Sequence, residues 1–163
     1  MGAHAEGHGA SSRHNVASGM GAHAEGIKTV ASGMGAHAEG YGGTDFPNVA
    51  SGMGSHAEGT GTTAQNQNEH AEGANNLSHK ASDTFGNAGN TLHSIGDSDL
   101  MNVKHNAFEI MQNADMYIKG VGGYQGTDTK VQNASIMTVQ EVINSKADAY
   151  QTATTADIEA LFA

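Results

Sequence analysis

Through residues 1–73 no long apolar run occurs; small apolar residues alternate with polar ones in bursts of three, and glycine closes almost every burst. Ala5, Ala24, Ala38, Ala57 and Ala71 each stand between a histidine and a glutamate. Ala17, Ala31 and Ala50 each stand between a valine and a serine. Alternation over so few residues predicts short strands, and the glycines predict tight turns between them. Helix is disfavoured, because an interior Gly costs about 1 kcal/mol against Ala.

The bursts repeat in phase. Ala-His-Ala-Glu-Gly occurs at 3–7, 22–26 and 36–40, and returns at 55–59 and 69–73 with Ser55 and Glu69 in first place. Val-Ala-Ser-Gly-Met-Gly lies between them at 16–21, 30–35 and 49–54, with a degenerate copy at 63–68. The shared core, Ala-x-Gly, occurs nine times, departing only at Asn66. Seven residues suit one short strand and one turn, so two units of seven would close one coil of a two-sheeted solenoid. The histidines, His4, His23, His37, His56 and His70, are then stacked in one column and Val16, Val30, Val49 and Thr63 in the opposite one. Coils sit one strand spacing apart, ~4.8 Å. Two coils carry five extra residues each, in the connections 8–15 and 41–48, against a link of three at 27–29. These long loops should project from one edge.

Composition sharpens this picture. Leu, Ile, Val and Phe number 23 of 163 residues, and only five of them precede Ala74. A single thin roll buries too little apolar surface on that supply, so association with other copies is expected. The formal charge of −10 excludes a nonspecific nucleic-acid binder. No apolar run approaches the ~18 residues of a membrane span, so no membrane insertion is expected. There is no cysteine, hence no thiol chemistry or disulfide framework.

The pattern x-Ala-x-Gly-x-x-Ser/Ala every seven residues resembles the head repeats of trimeric autotransporter adhesins and of related phage tail and appendage proteins. The resemblance covers residues 1–73. It implies a mainly β fold: a left-handed parallel β-roll solenoid, trimeric, followed by a small mixed α/β C-terminal cap. It also implies a homotrimer on the bacterial cell surface or a phage virion, extracellular, attaching to a host-surface glycan or protein receptor. The positions flanking Ala, apolar in the adhesins, are here His and Glu or Val and Ser. The adhesins' C-terminal membrane barrel is missing, which implies a chain that does not anchor itself.

In a strand, residues i and i+2 share a face. His4, His23, His37, His56 and His70 therefore form one ladder, beside a second one of Glu6, Glu25, Glu39, Glu58 and Glu72. Stacked bare carboxylates repel, so each Glu is expected to bond a His or a backbone donor. The ladder reads as structural. No catalytic residue is expected, because no nucleophile or oxyanion arrangement recurs beside the pairs, and no metal site or cofactor is expected, because strand-ladder spacing does not converge four ligands from one chain, though three chains around an axis could. A binding patch is expected on the long loops at Arg13, His14, Tyr41 and Phe46; Arg13 is the only arginine, and Tyr41 and Phe46 are the repeat region's only Phe or Tyr. The function read from this is a non-enzymatic structural or adhesive fibre head. The alternative is a phage tail-fibre or appendage structural protein, and a weaker third is a depolymerase or self-cleaving tail protein.

Three segments result. Residues 1–73 are the repeats, 74–105 degenerate repeats or a neck, and 106–163 a trimerisation cap of a β-hairpin and short helices. The hairpin is read from Phe108 and Ile110, a turn at 112–115, then Met116 and Ile118. Ile136, Val139 and Ile143 predict an amphipathic helix over 135–146, and Thr155 with Asp157 predicts the start of another over 155–162.

Overall fold

The computed structural model describes residues 2–7, 14–43, 45–98, 103–119, 136–138 and 144. The chain divides into two units, Met1–Met116 and Tyr117–Ala163. The described residues are mainly strand, with parallel sheets, and no helix among them is long and apolar enough to cross a membrane.

In the first unit two sheets alternate along the chain. One holds β1 (His4–Glu6), β3 (His23–Ile27), β5 (His37–Tyr41), β7 (His56–Ala57) and β9 (His70–Ala74), each parallel to the next. The other holds β2 (Val16–Ala17), β4 (Thr29–Ala31), β6 (Asn48–Ala50) and β8 (Thr63–Ala64), also all parallel. The register is that of the repeat: His4, His23, His37, His56 and His70 pair in series, and so do Val16, Val30, Val49 and Thr63.

The buried apolar residues of the roll are all alanine, beside the equally buried Thr29, Asn48, Ser55 and Thr62. Ala22, Ala24, Ala31, Ala36, Ala38, Ala50, Ala57, Ala64 and Ala71 form the buried apolar cluster, none more than 1% exposed. The valines and methionines lie outside this cluster.

Glycine sets how closely one coil stacks on the next. A Cβ on Gly33 would stand 2.0 Å from the carbonyl oxygen of Gly52, and one on Gly19 would meet Gly33 at 1.9 Å. Asn66 ends this column; no further coil of that sheet lies above it, so it can carry a side chain. At the next corner Gly21, Gly35 and Gly54 take φ of 64° to 69°, where Asn68 follows at 57°. Those values lie in the left-handed region that Gly, and to a lesser degree Asn, adopts.

The insertions are absorbed by a side-chain clamp. Asn48 donates from Nδ2 to the carbonyls of Glu39 (2.6 Å) and Gly59 (2.8 Å), and its Oδ1 accepts from the Thr62 amide. Asn15 closes the first long connection in the same way, on Glu6, Gly26 and Thr29. The short coil needs no such clamp: Lys28 alone, at φ 54°, turns β3 into β4. Tyr41 ends β5 and Asn48 opens β6, so the second loop proper is 42–47.

Beyond Gly73 the first sheet continues. β10 (Thr91–Asp97) runs parallel to β9 with His93 on His70, Ser94 on Ala71 and Gly96 on Gly73. β11 (Asn106–Met111) then pairs antiparallel with β10. The interior changes character here. Glu69, Asn66, Asn76, Asn90, Thr91, Ser94, Asn106 and Glu109 are all buried. Among the hairpin's first-arm residues Glu109 and Met111 are buried, while Phe108 and Ile110 are only partly covered.

The turn of the expected hairpin is present: Met111 N–H donates to Asp115 and Ala114 N–H to Met111. Its second arm is β12 (Met116–Lys119), which pairs antiparallel with β13 (Ile136–Thr138), Tyr117 opposite Thr138. The helix expected over 135–146 is therefore not formed at Ile136–Thr138. Ile136, Met137 and Thr138 are strand, since β-branched residues suit a pleated partner better than a helical turn. Asn144 is helical; the rest of that segment, and the helix expected over 155–162, lie outside the described residues.

Candidate functional site

Strand alternation puts Ala inside and His and Glu outside on every rung of the first sheet. With backbones in register, the imidazoles stack like plates. Ring centroids are 5.1, 4.8, 4.7 and 4.9 Å apart from His4 to His70, with the tightest planes 3° from parallel. His93 adds a sixth ring at 4.9 Å, and Phe108 ends the stack edge-on.

The carboxylates reach along the column to the next rung. Glu6 lies 3.4 Å from Nε2 of His23, Glu39 3.3 Å from His56, Glu58 3.5 Å from His70 and Glu72 3.1 Å from His93. Glu25 instead approaches His23 of its own rung at 3.7 Å. Each ladder pair is about a third exposed apart from the more open Glu6. An open groove runs beside the column, lined by Glu25, Glu39, Glu58 and Glu72 and the glycine after each. The Nε2 atoms of His23, His37 and His70 are buried and make no hydrogen bond in this arrangement.

A second cluster closes the roll. Glu69 stands where the other repeats carry Ala or Ser, and its Oε2 accepts from the amides of Gln65 and Asn66, from Asn66 Nδ2 and from Ser78 Oγ. Burial nonetheless pushes its carboxyl up to about 7. Glu109, also buried, accepts from Thr91 Oγ1 at 2.6 Å and pairs with His79 Nδ1 at 2.9 Å. That hydrogen bond raises His79 above its ordinary value. Lys104, bonded to Thr63 Oγ1, is lowered by burial.

Of the expected loop patch, His14 is exposed, Tyr41 is 39% exposed at the end of β5, and Phe46 is partly covered beside Gly61. Arg13 lies outside the described residues. The apolar groups that the sequence did not single out as a surface are Val16, 43% exposed at the head of a column in which Val30 and Val49 are partly covered, and the methionines after it, Met20 56%, Met34 46% and Met53 42% exposed. His93 was legible only through the spacing His-x-x-Gly, which His93–Gly96 keeps in a segment where Ala and Glu have been replaced. The chain matches no protein-family model, no curated protein and no solved structure.

Proposed function

We propose that this chain is the head module of a trimeric fibre, a non-enzymatic structural or adhesive protein of the autotransporter-head type. In this reading the roll is left-handed and three copies stand side by side with their long axes parallel. The assembly is extracellular, on a bacterial cell or a virion, and holds its loop edge toward a host-surface glycan or protein.

One observation carries the proposal. The roll keeps only alanine and small polar residues inside, sets its valines on the outer face of the second sheet and its methionines at the turns that follow, in a stripe three coils long. Burying that stripe against copies of itself supplies the apolar contact the alanine interior lacks, at roughly 25 cal/mol per Å². Parallel register places the same residue at the same height on every copy, which suits a closed ring of like chains. The loops of 8–15 and 41–48 then form a repeated edge, with Tyr41, Phe46, His14 and Arg13 as its contact residues.

Light scattering on the eluted protein tests this. The expected mass is three times the 16.7 kDa chain. Met34→Lys, on the exposed stripe, should shift the mass toward a single chain while leaving the strand circular dichroism in place. A single-chain mass for the unaltered protein overturns the proposal.

A further inference from the structure

The ladder brings together a donor set that a structural role does not use. His4, Glu6 and His23; His23, Glu25 and His37; His37, Glu39 and His56; and His56, Glu58 and His70 each offer three ligand atoms, all within 4.8 Å of one another. Every group has the same make-up: histidine and glutamate of one coil and histidine of the next. Neutral imidazole nitrogen with carboxylate oxygen is the ligand chemistry of zinc and its first-row neighbours.

Two further observations point to a cation. The Nε2 atom of His37 is buried with neither a hydrogen bond nor an ion pair, a costly state for a polar atom unless something else takes the lone pair, and those of His23 and His70 have their nearest carboxylate at 3.4 and 3.5 Å without a hydrogen bond. The carboxylates repeat at rung spacing along a groove lined by glutamates and glycines, in a chain of formal charge −10. Geometry agrees as well. A tetrahedral zinc with bonds near 2.1 Å holds adjacent ligand atoms ~3.4 Å apart. The cross-rung separations Glu6–His23, Glu39–His56 and Glu58–His70 are 3.4, 3.3 and 3.5 Å. The remaining histidine closes on the ion by torsion of a side chain at the surface, with the backbone fixed.

The geometry points to a divalent transition-metal site of the zinc type, repeated along the ladder, with water completing each coordination shell. The four groups overlap, because adjacent ones share a histidine. A neutral imidazole has one free lone pair, so each histidine serves one ion at a time. Four overlapping groups therefore hold two ions per chain, never four. The inference needs one chain only and does not depend on three of them associating.

The sharing fixes how variants behave. Loss of His37 removes the second and third groups and leaves the first and fourth, which share nothing, so two ions still bind. Loss of His56 removes the third and fourth and leaves the first and second, which share His23, so only one ion binds.

Calorimetric titration of the tag-free, chelator-treated full chain with zinc at neutral pH reads this directly, and cobalt reports tetrahedral coordination by its visible absorption. The expected stoichiometry is two for the unaltered chain, two for His37→Gln and one for His56→Gln. His56→Phe keeps a flat ring in the stack without a ligand nitrogen and should also bind one, which separates ligation from packing. Absence of binding, or equal stoichiometry for the His37 and His56 variants, overturns the site.

Discussion

Replacing Glu69 with glutamine probes the one buried carboxyl that occupies a small-residue position of the repeat. Its ordinary value is 4.5 and burial carries it to about 7, while four donors on Oε2 pull the other way. Between those two values the folded chain holds a proton that the unfolded chain has released. Stability therefore falls as pH rises through this window, and the loss is complete above about 7. At 1.36 kcal/mol per unit, a shift of that size amounts to about 3 kcal/mol, or roughly 10 °C in melting temperature for a unit of this length. Glu69 is 1% exposed, so solvent screening does not reduce the figure. Glutamine retains a carbonyl for the same donors and cannot ionise. Denaturant titrations of both proteins at matched concentration, at pH values spanning the window, give the difference in their stabilities. That difference should move by about 3 kcal/mol in favour of Glu69→Gln as pH rises from the lower value to the upper. A constant offset between the two proteins across the window would refute the reasoning.

Other positions test the packing rules. Gly33→Ala forces a Cβ against the Gly52 carbonyl and should cost at least about 3 kcal/mol, whereas Gly21→Ala, with open space but φ +69°, should cost about 1 kcal/mol; thermal melting separates them. Asn48→Ala strands two carbonyls and one amide at a buried corner, and a loss of about 3 kcal/mol is expected by denaturant titration. Ala38→Val overfills an interior with no slack and should destabilise by about 1–3 kcal/mol in the same assay.

The repeat made the roll readable. Nine copies of Ala-x-Gly held the phase of both sheets, and the alternation within His-Ala-Glu told which side chains face in. What it could not convey is how tightly successive coils stack, because that depends on backbone approaches such as the Cβ position of Gly33 against the Gly52 carbonyl oxygen rather than on residue type. The clamp was hidden for a similar reason. Asn15 and Asn48 sit beside valine in a loop-like stretch, and only the closed coil shows that their amides bridge strands nine and eleven residues away. β10 was obscured because Ser94 and Ile95 replace Ala and Glu, leaving His93 and Gly96 as the sole echo of the motif. Ile136 misled by periodicity: an apolar residue three positions before Val139 fits a helix, yet β-branched neighbours and an available partner strand make it extended.

The asparagine bridge also says something about change over time. It ties the coil together behind the excursion at 41–48, where Gly42 still donates to Ile27 of the neighbouring rung and the residues after it are bridged by Asn48. Such an edge behaves as a socket: its contents can lengthen, shorten or be exchanged wholesale while the stack behind them stays in step. A designer wishing to display a foreign peptide would find there the cheapest place to put it.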